Sequence, residues 1–425
     1  MIKMNRLRKL MIALLVFTAG NAMAQKYVGG DISLLPSYEQ NGATYFDNNG
    51  NPIAEVLPYL KQQGLNAMRV RLFVNPANAP ETEKEEGVRQ DLGYVKKLAK
   101  RIKEQGMALM LDFHYSDSWA DPSKQYTPND WQSLTESQLQ ERIYTYTKDA
   151  LQQLVDTGAT PDLIQTGNEI SYGMLWGARG ASDLKKCYTS STDNWPYFTS
   201  LLKQAIKACR EVCPQAKIIL HTERVAQPTV LKDFYQRMAS YGVDYDIIGL
   251  SYYPYFHGNL SQLNTALNTL ESAYADKDIM LVETGYYHDW QPSTVDYDLS
   301  AQFPITGEGQ KAFASALIST LSAHKSVKGL FWWFLEANEK GLDWSTKHVT
   351  ASWYNAGLFD NSTGKAEPAL YVLKDFLGTA DAISTPTLST RQSETKWYNL
   401  CGQRISQPDK STIAICQGKK IRLAE

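Results

Sequence analysis

The feature that most constrains this chain is a rhythm of eight short β-rich runs, most of them separated by helical patterns. The runs are Tyr27–Ile32, Ala67–Val74, Ala108–His114, Leu163–Gly167, Lys217–His221, Ile247–Tyr252, Ile279–Glu283 and Gly329–Trp333. Between them, Lys311–Leu321 sets Phe313, Leu317 and Leu321 at i, i+4 and i+8 on one helical face. Val88–Glu104 and Gln138–Asp156 are helices by the same reasoning, and a last one around Ala366–Phe376 would complete the series. Strands alternating with helices specify an α/β protein with a parallel sheet. Eight such units fit a (β/α)8 TIM barrel better than an open, doubly wound sheet. The open sheet stays as an alternative, because periodicity does not reveal closure.

Length and composition agree. A barrel of this kind uses about 250 residues or more as one domain, and the chain has 425. Hydrophobic residues make up 43% and aromatic residues 11%, which excludes intrinsic disorder and supplies a large core. Basic and acidic residues nearly balance, for a formal charge of −2, without the clustered basic face of a nucleic-acid binder. No repeat of solenoid or propeller length is present.

The N-terminus carries Lys3, Arg6, Arg8 and Lys9, an apolar run from Leu10 to Phe17, and Ala22-Met23-Ala24 before Gln25. This is the pattern of a secretory signal peptide over residues 1–24. The apolar run falls short of the roughly 20 residues of a membrane span, and no Cys follows it to take a lipid. The protein is therefore expected to be exported, periplasmic or extracellular, with no membrane insertion after cleavage, and monomeric. The five cysteines are few and odd in number. Cys209 and Cys213 lie four apart on a helical stretch, a poor spacing for a bridge, whereas Cys401 and Cys416 could pair. Neither a CxxC nor a Cys/His cluster suggests zinc.

The barrel domain is expected over 25–378. Residues 379–395, rich in Ser, Thr, Ala and Pro, read as a linker. Residues 396–425 alternate like a small strand pair and form a β-rich C-terminal tail. That tail, with "WYNLCGQRIS" and "GKKIRL", resembles those appended to exported proteins of Gram-negative bacteria.

Catalytic candidates in such a barrel are polar residues at the C-terminal strand ends. Those ends carry Arg69, Arg71, His114, Asn168, Glu169, His221, Tyr252, Tyr253, Glu283, Trp332 and Trp333. Glu169 ends the fourth run in "IQTGNE", and Glu283 ends the seventh in "IMLVETGYY". A carboxylate after an apolar strand needs a partner or a task. Three strands apart on a ring of eight, the two would face each other across the barrel mouth. Facing carboxylates suit glycoside hydrolysis, in which one protonates the leaving oxygen and the other attacks the anomeric carbon. Arg69 and Arg71 share parity on the second run, so both point into the barrel while Val70 and Leu72 face the helices. An inward Arg can hold a glutamate ionised; an ion pair closing the barrel floor is the alternative.

Seven segments, in order over residues 27–378, give the chain a family. They are "GGDIS" (Gly29–Ser33), "GLNAMRVRLFVNP" (Gly64–Pro76), "LDFHYSDSWADP" (Leu111–Pro122), "TGNEISYGMLW" (Thr166–Trp176), "GLSYYPYF" (Gly249–Phe256), "VETGY" (Val282–Tyr286) and "GLFWWF" (Gly329–Phe334). With these the chain resembles the family 53 glycoside hydrolases, endo-β-1,4-galactanases within the clan of retaining barrel glycosidases. "TGNE" marks the clan, and the long "DFHYSDSWADP" marks the family. The resemblance implies Glu169 as general acid/base, Glu283 as nucleophile and Arg69 as the arginine that contacts Glu283. Asn168 can donate to the sugar 2-OH. Tyr253 could hydrogen-bond the nucleophile or serve as a core tyrosine. Trp119 and Trp333 are candidate stacking platforms for pyranose faces. Asp31 is a candidate for a sugar hydroxyl or for a hydrogen bond inside the barrel. His114, a strand-end candidate for the substrate side, and His221 more often support such a site than act as its acid.

The implied activity is hydrolysis of β-1,4-galactosidic bonds in pectic galactan or arabinogalactan, with retention and without a cofactor. Related bacterial enzymes can bind calcium after the seventh strand. Here that region reads "YYHDWQPSTVDYDLSAQFP", and the spacing of Asp296 and Asp298 matches no metal loop. A same-clan enzyme acting on mannan, xylan or glucan is the alternative, because the clan residues handle C1 and C2 whereas galactose differs from glucose at C4. A non-catalytic glycan-binding barrel is the reading from another class, and it would be expected to lose one of the two glutamates.

Overall fold

The computed structural model describes residues 25–188, 194–293, 295–342, 349 and 354–378, with the backbone of four short strands between 397 and 422. The expected signal peptide, the linker, Cys401 and the Cys416 side chain lie outside the described residues. Two compact units are present, Met1–Ala382 and Ile383–Glu425.

The first unit is a closed parallel barrel of eight strands. These are β1 (Tyr27–Asp31), β2 (Ala67–Leu72), β3 (Ala108–Phe113), β4 (Leu163–Thr166), β5 (Lys217–Thr222), β6 (Ile247–Tyr252), β7 (Asp278–Thr284) and β8 (Val327–Trp332). β8 pairs back onto β1, so the open-sheet alternative is excluded. β1 and β2 approach so closely that a Cβ on Gly29 would stand 1.7 Å from the Ala67 carbonyl oxygen. Only glycine fits there.

Seven helices follow the pattern: α1 (Val56–Gln62), α2 (Leu92–Glu104), α3 (Glu136–Asp156), α4 (Trp195–Val212), α5 (Pro228–Ser240), α6 (Leu260–Ala273) and α7 (Gly307–Ser322). Four of them, α2, α3, α6 and α7, begin at a side-chain cap. The Asp91 side chain accepts the Tyr94 N–H at 2.7 Å, so α2 begins at Leu92 rather than at Val88. A Thr135/Gln138 capping box starts α3 at Glu136. The expected eighth helix is replaced by two 3₁₀ turns, Pro368–Tyr371 and Leu373–Leu377. Buried Leu370, Leu373 and Phe376 recur every third residue, which a three-residue turn puts on one face.

The barrel interior has two levels. Ala67, Met110, Leu163, Ile219, Ile247, Met280 and Phe331 form an apolar plug. Two residues further along their strands come Arg69, Asp112, Gln165 and His221, all buried. Val70 and Leu72 point the other way, into the cluster shared with α2. In β7 the register slips by one residue: Leu281 pairs with Leu250, and Glu283, not Val282, with Ser251. This bulge reverses the alternation and turns Glu283 inward after inward-facing Val282.

The second unit holds β9 (Trp397–Tyr398), β10 (Arg404–Ile405), β11 (Ile413–Cys416) and β12 (Lys419–Arg422). They form a four-stranded antiparallel sheet in the order β10-β9-β11-β12 rather than a single strand pair. Cys209 and Cys213 are free buried thiols. Among the described residues no helix is long and apolar enough to cross a membrane.

Candidate active site

A cleft of about 600 Å³ is lined by Glu169, Glu283, Asn168, Tyr253, Trp119 and Trp333, among others. It thus brings together six of the candidate residues. Arg69, Asp31 and His114 are instead fully buried.

The buried floor is an ion cluster centred on Arg69. Its Nη2 lies 2.8 Å from Glu283 Oε1 and 2.8 Å from Asp112 Oδ2, and its Nη1 3.0 Å from Asp31 Oδ2. Nη2 also donates to Asn168 Oδ1 at 2.8 Å. Burial alone would lower the proton affinity of Arg69, but the three carboxylates reverse this and hold it charged. Asp31 also faces Arg71 Nε at 3.2 Å. Both arginines need counter-charges in the barrel, and this keeps Asp31 away from any sugar. His114 was a substrate-side candidate as well, but it is locked below the cleft. Its Nδ1 accepts the Ala120 N–H at 3.0 Å and its Nε2 faces Asp112 Oδ2 at 3.1 Å. Burial lowers its proton affinity, so it stays neutral and fastens the loop that carries Trp119.

Arg71 supports the aromatic wall. Its guanidinium lies 4.7 Å from the Trp119 ring centre and 4.8 Å from those of Trp333 and Phe334. Trp119 and Trp333 stand 6.2 Å apart. They flank the cleft above a cation that fixes their orientation.

The two glutamates are held differently. The Tyr253 hydroxyl donates to Glu283 Oε2 at 2.9 Å while Arg69 faces Oε1. Burial raises the Glu283 pKa, and Arg69 and this hydrogen bond oppose the rise. Glu169 sits on a strained turn, with φ of 48°, a conformation that costs a non-glycine residue about 1–3 kcal/mol. Gly167 makes that turn possible at φ of 97°, where a Cβ would come 2.6 Å from Ile170 Cγ2. Gln125 pins it by donating to the Asn168 carbonyl at 2.7 Å. Burial and then the charges of Glu283 and Glu223 raise the Glu169 pKa well above the usual carboxylate range. Of the two carboxyls, Glu169 is the one pushed further toward its protonated form.

Several contributors were not singled out in the sequence. The Glu169 N–H and Gln165 Nε2 approach His221 Nδ1 at 3.3 and 2.9 Å, and Asn168 Oδ1 stands 3.1 Å from the same nitrogen. The Nε2 of His221 lies 2.8 Å from the Ser251 hydroxyl, which hydrogen-bonds the Glu169 carboxyl. Asp112, a carboxylate within an apolar strand, carries the same signal that marked Glu283. Glu223, one residue beyond β5, also lines the cleft.

Among the described residues, His288, Asp360 and Glu367 bring ligand atoms within 4.8 Å of one another. Asp296 and Asp298 are not part of this group, and Asp298 Oδ1 instead accepts the Ser300 N–H at 2.9 Å. One imidazole and two carboxylates are not the all-oxygen shell that calcium prefers.

Comparison with known proteins bears on the barrel and its family. The model of glycosyl hydrolase family 53 matches residues 27–373. An arabinogalactan endo-β-1,4-galactanase A from Emericella nidulans is 32% identical over 324 residues, 73% of this chain and 85% of that protein. The solved catalytic domain of family 53 from Ignisphaera aggregans superposes with a TM-score of 0.71 at 31% identity, covering 82% of this chain and 95% of that one. A fungal β-1,4-galactanase structure gives 0.68 at 28% identity, covering 83% and 99%.

Proposed function

The chain belongs to glycosyl hydrolase family 53, and from that premise we propose an exported endo-β-1,4-galactanase that cleaves pectic galactan or arabinogalactan with retention. The observation that carries this reading is the unequal setting of two carboxyls on one cleft. Glu283 is clamped by Arg69 and Tyr253, whereas burial and then the charge of Glu283 raise the Glu169 pKa.

In the first step Glu169 gives its proton to the glycosidic oxygen while Glu283 attacks C1 from the opposite face. The C1–O bond breaks, the shortened chain leaves as an alcohol, and a glycosyl-enzyme ester remains on Glu283. That ester has no charge, so the Glu169 pKa falls and its carboxylate becomes a base. Glu169 then takes a proton from water, the water oxygen attacks C1, and Glu283 is released. Asn168, positioned by Arg69, offers an amide N–H to the 2-OH, and Trp119 and Trp333 hold the sugar faces. No step requires a cofactor.

Incubation with galactan, mannan, xylan and cellulose, followed by separation of the products, tests the substrate. Galacto-oligosaccharides from galactan alone are expected. Equal or greater release from mannan, xylan or cellulose would replace this reading with that of another endo-glycanase.

A further inference from the structure

The cleft is lined by two chemically different groups of residues. Trp119, Trp333 and Phe334 pack on one another, with 6.2 Å between the first two ring centres and 4.6 Å between the last two. Phe256 and the adjoining His257 line the cleft together with Glu223 and Asp296. Arg69, 2.8 Å from Glu283 Oε1, lies 5.5 Å from the Trp333 ring centre, which puts Glu283 near the tryptophans. Glu223 is bonded at 2.8 Å to Ser171, two residues beyond Glu169. With C1 of a sugar at Glu283, the oxygen that Glu169 protonates then belongs to the part of the cleft that Glu223 lines.

We propose that Glu223, Phe256 and His257 form the leaving-side sugar site, with the Glu223 carboxylate accepting a hydroxyl of the galactosyl unit on the reducing side of the cleaved bond. This rests on the galactanase reading and names residues for a part of the substrate that neither glutamate addresses.

Glu223 is built for such a contact. It is only 7% exposed, and its Oε2 accepts the Ser171 hydroxyl at 2.8 Å. Its buried Oε1 accepts no hydrogen bond from the described residues, with Arg224 Nε standing 3.5 Å away. One oxygen is therefore fixed, and the other lacks the donor that a buried carboxylate requires. Arg224 is itself held over the Tyr172 ring at 4.5 Å. His257 supplies the complementary donor. Its Nδ1 accepts the Tyr253 N–H at 3.0 Å, so the neutral ring carries its proton on Nε2. Phe256 is 42% exposed, an unusual placement for a large apolar ring unless it carries something. A pyranose presents what these three residues address: hydroxyls around its edge and C–H bonds on its face.

The test compares two substrates in wild type, Glu223→Ala and Phe256→Ala. Galactopentaose places a sugar on the leaving side, and an aryl β-galactobioside places only the aryl group there. Burial raises the Glu223 pKa to about 7, so the comparison is made at pH 8, where the carboxylate is charged. A hydrogen bond to a charged acceptor contributes about 1.5–3 kcal/mol, so Glu223→Ala should lower kcat/KM on galactopentaose by roughly 10–100-fold. The aryl substrate should change less than about threefold by the same reasoning. Phe256→Ala should show the same split, mainly through KM, and with added galactobiose both variants should form less transfer product. Equal losses on both substrates would overturn the proposal, because Glu223 would then act only through the proton affinity of Glu169. No loss on either would overturn it as well. Wild type that leaves galactan intact and cleaves another β-glycan sinks the galactanase reading, and the same comparison with that glycan then decides Glu223.

Discussion

Arg69 Nη2 and Glu283 Oε1 stand 2.8 Å apart across the barrel interior, one on β2 and the other on β7. The same nitrogen reaches Asp112 on β3 and the Asn168 side chain just beyond β4. One guanidinium thus sets the spacing between the proposed nucleophile and the amide proposed to hold the sugar 2-OH. A lysine could not also hold Asp31, which Arg69 reaches through its second terminal nitrogen, Nη1, at 3.0 Å.

Arg69→Met should be costly to the fold as well as to activity. It leaves Asp31, Asp112 and Glu283 without their shared counter-charge. Removing one partner of a buried ion pair typically destabilises by about 3–5 kcal/mol. Urea unfolding near pH 7 should show a loss of that size. A midpoint within experimental error of wild type would mean the cluster is not held by Arg69.

Tyr253→Phe tests how Glu283 is kept ionised. The Tyr253 hydroxyl lowers the Glu283 pKa, as does Arg69, whereas burial and Asp112 raise it, giving a value of about 7. Activity needs Glu283 ionised and Glu169 protonated, so kcat/KM should be bell-shaped, with the acid limb belonging chiefly to Glu283. Losing the hydroxyl raises its pKa, and the acid limb should move to higher pH. A hydrogen bond to a charged group is worth about 1.5–3 kcal/mol, so kcat/KM below pH 7 should fall at least about tenfold. An unmoved acid limb would show that Tyr253 is only a packing residue.

Glu336 carries a pH effect on stability that is separate from catalysis. It is fully buried, its Oε1 accepts the Leu34 N–H at 2.7 Å, and burial followed by the Asp31 charge pushes its pKa up to about 8. The folded state binds this proton more tightly than the unfolded chain. The associated stability is therefore complete below the ordinary value of 4.5 and is lost progressively as pH rises through about 8. Glu336→Gln keeps an acceptor for Leu34 and removes the titration. Its melting temperature should fall less than that of wild type between pH 5 and pH 9. Parallel curves would show that folding does not raise the proton affinity of Glu336 above that of the unfolded chain.

Much of this architecture was legible because an eight-fold alternation of strand and helix leaves few topologies. Strand-end position found Glu169, Asn168, Tyr253 and Trp333. It left Asp31 open between a sugar hydroxyl and a bond inside the barrel, and it counted His114 among the substrate-side candidates. Both are buried, and a linear pattern does not reveal that two buried arginines must be neutralised from within the barrel. Alternation alone would have pointed Glu283 at the helices, beside Leu281, and only the β7 bulge brings it inward. Glu223 and Ser251 gave no signal, since a single polar residue at a strand end resembles any loop residue until its neighbours are known. The three-residue spacing of Leu370, Leu373 and Phe376 was present and would have argued against an α-helix there.

The central claim is that Glu283 attacks C1 and Glu169 moves the proton. The most direct measurement is trapping with a 2-deoxy-2-fluoro-β-galactobiosyl fluoride, followed by digestion and peptide mass spectrometry. The account predicts stoichiometric inactivation with a single glycosylated peptide, modified at Glu283, and no label in Glu283→Ala. A label on Glu169 would contradict it.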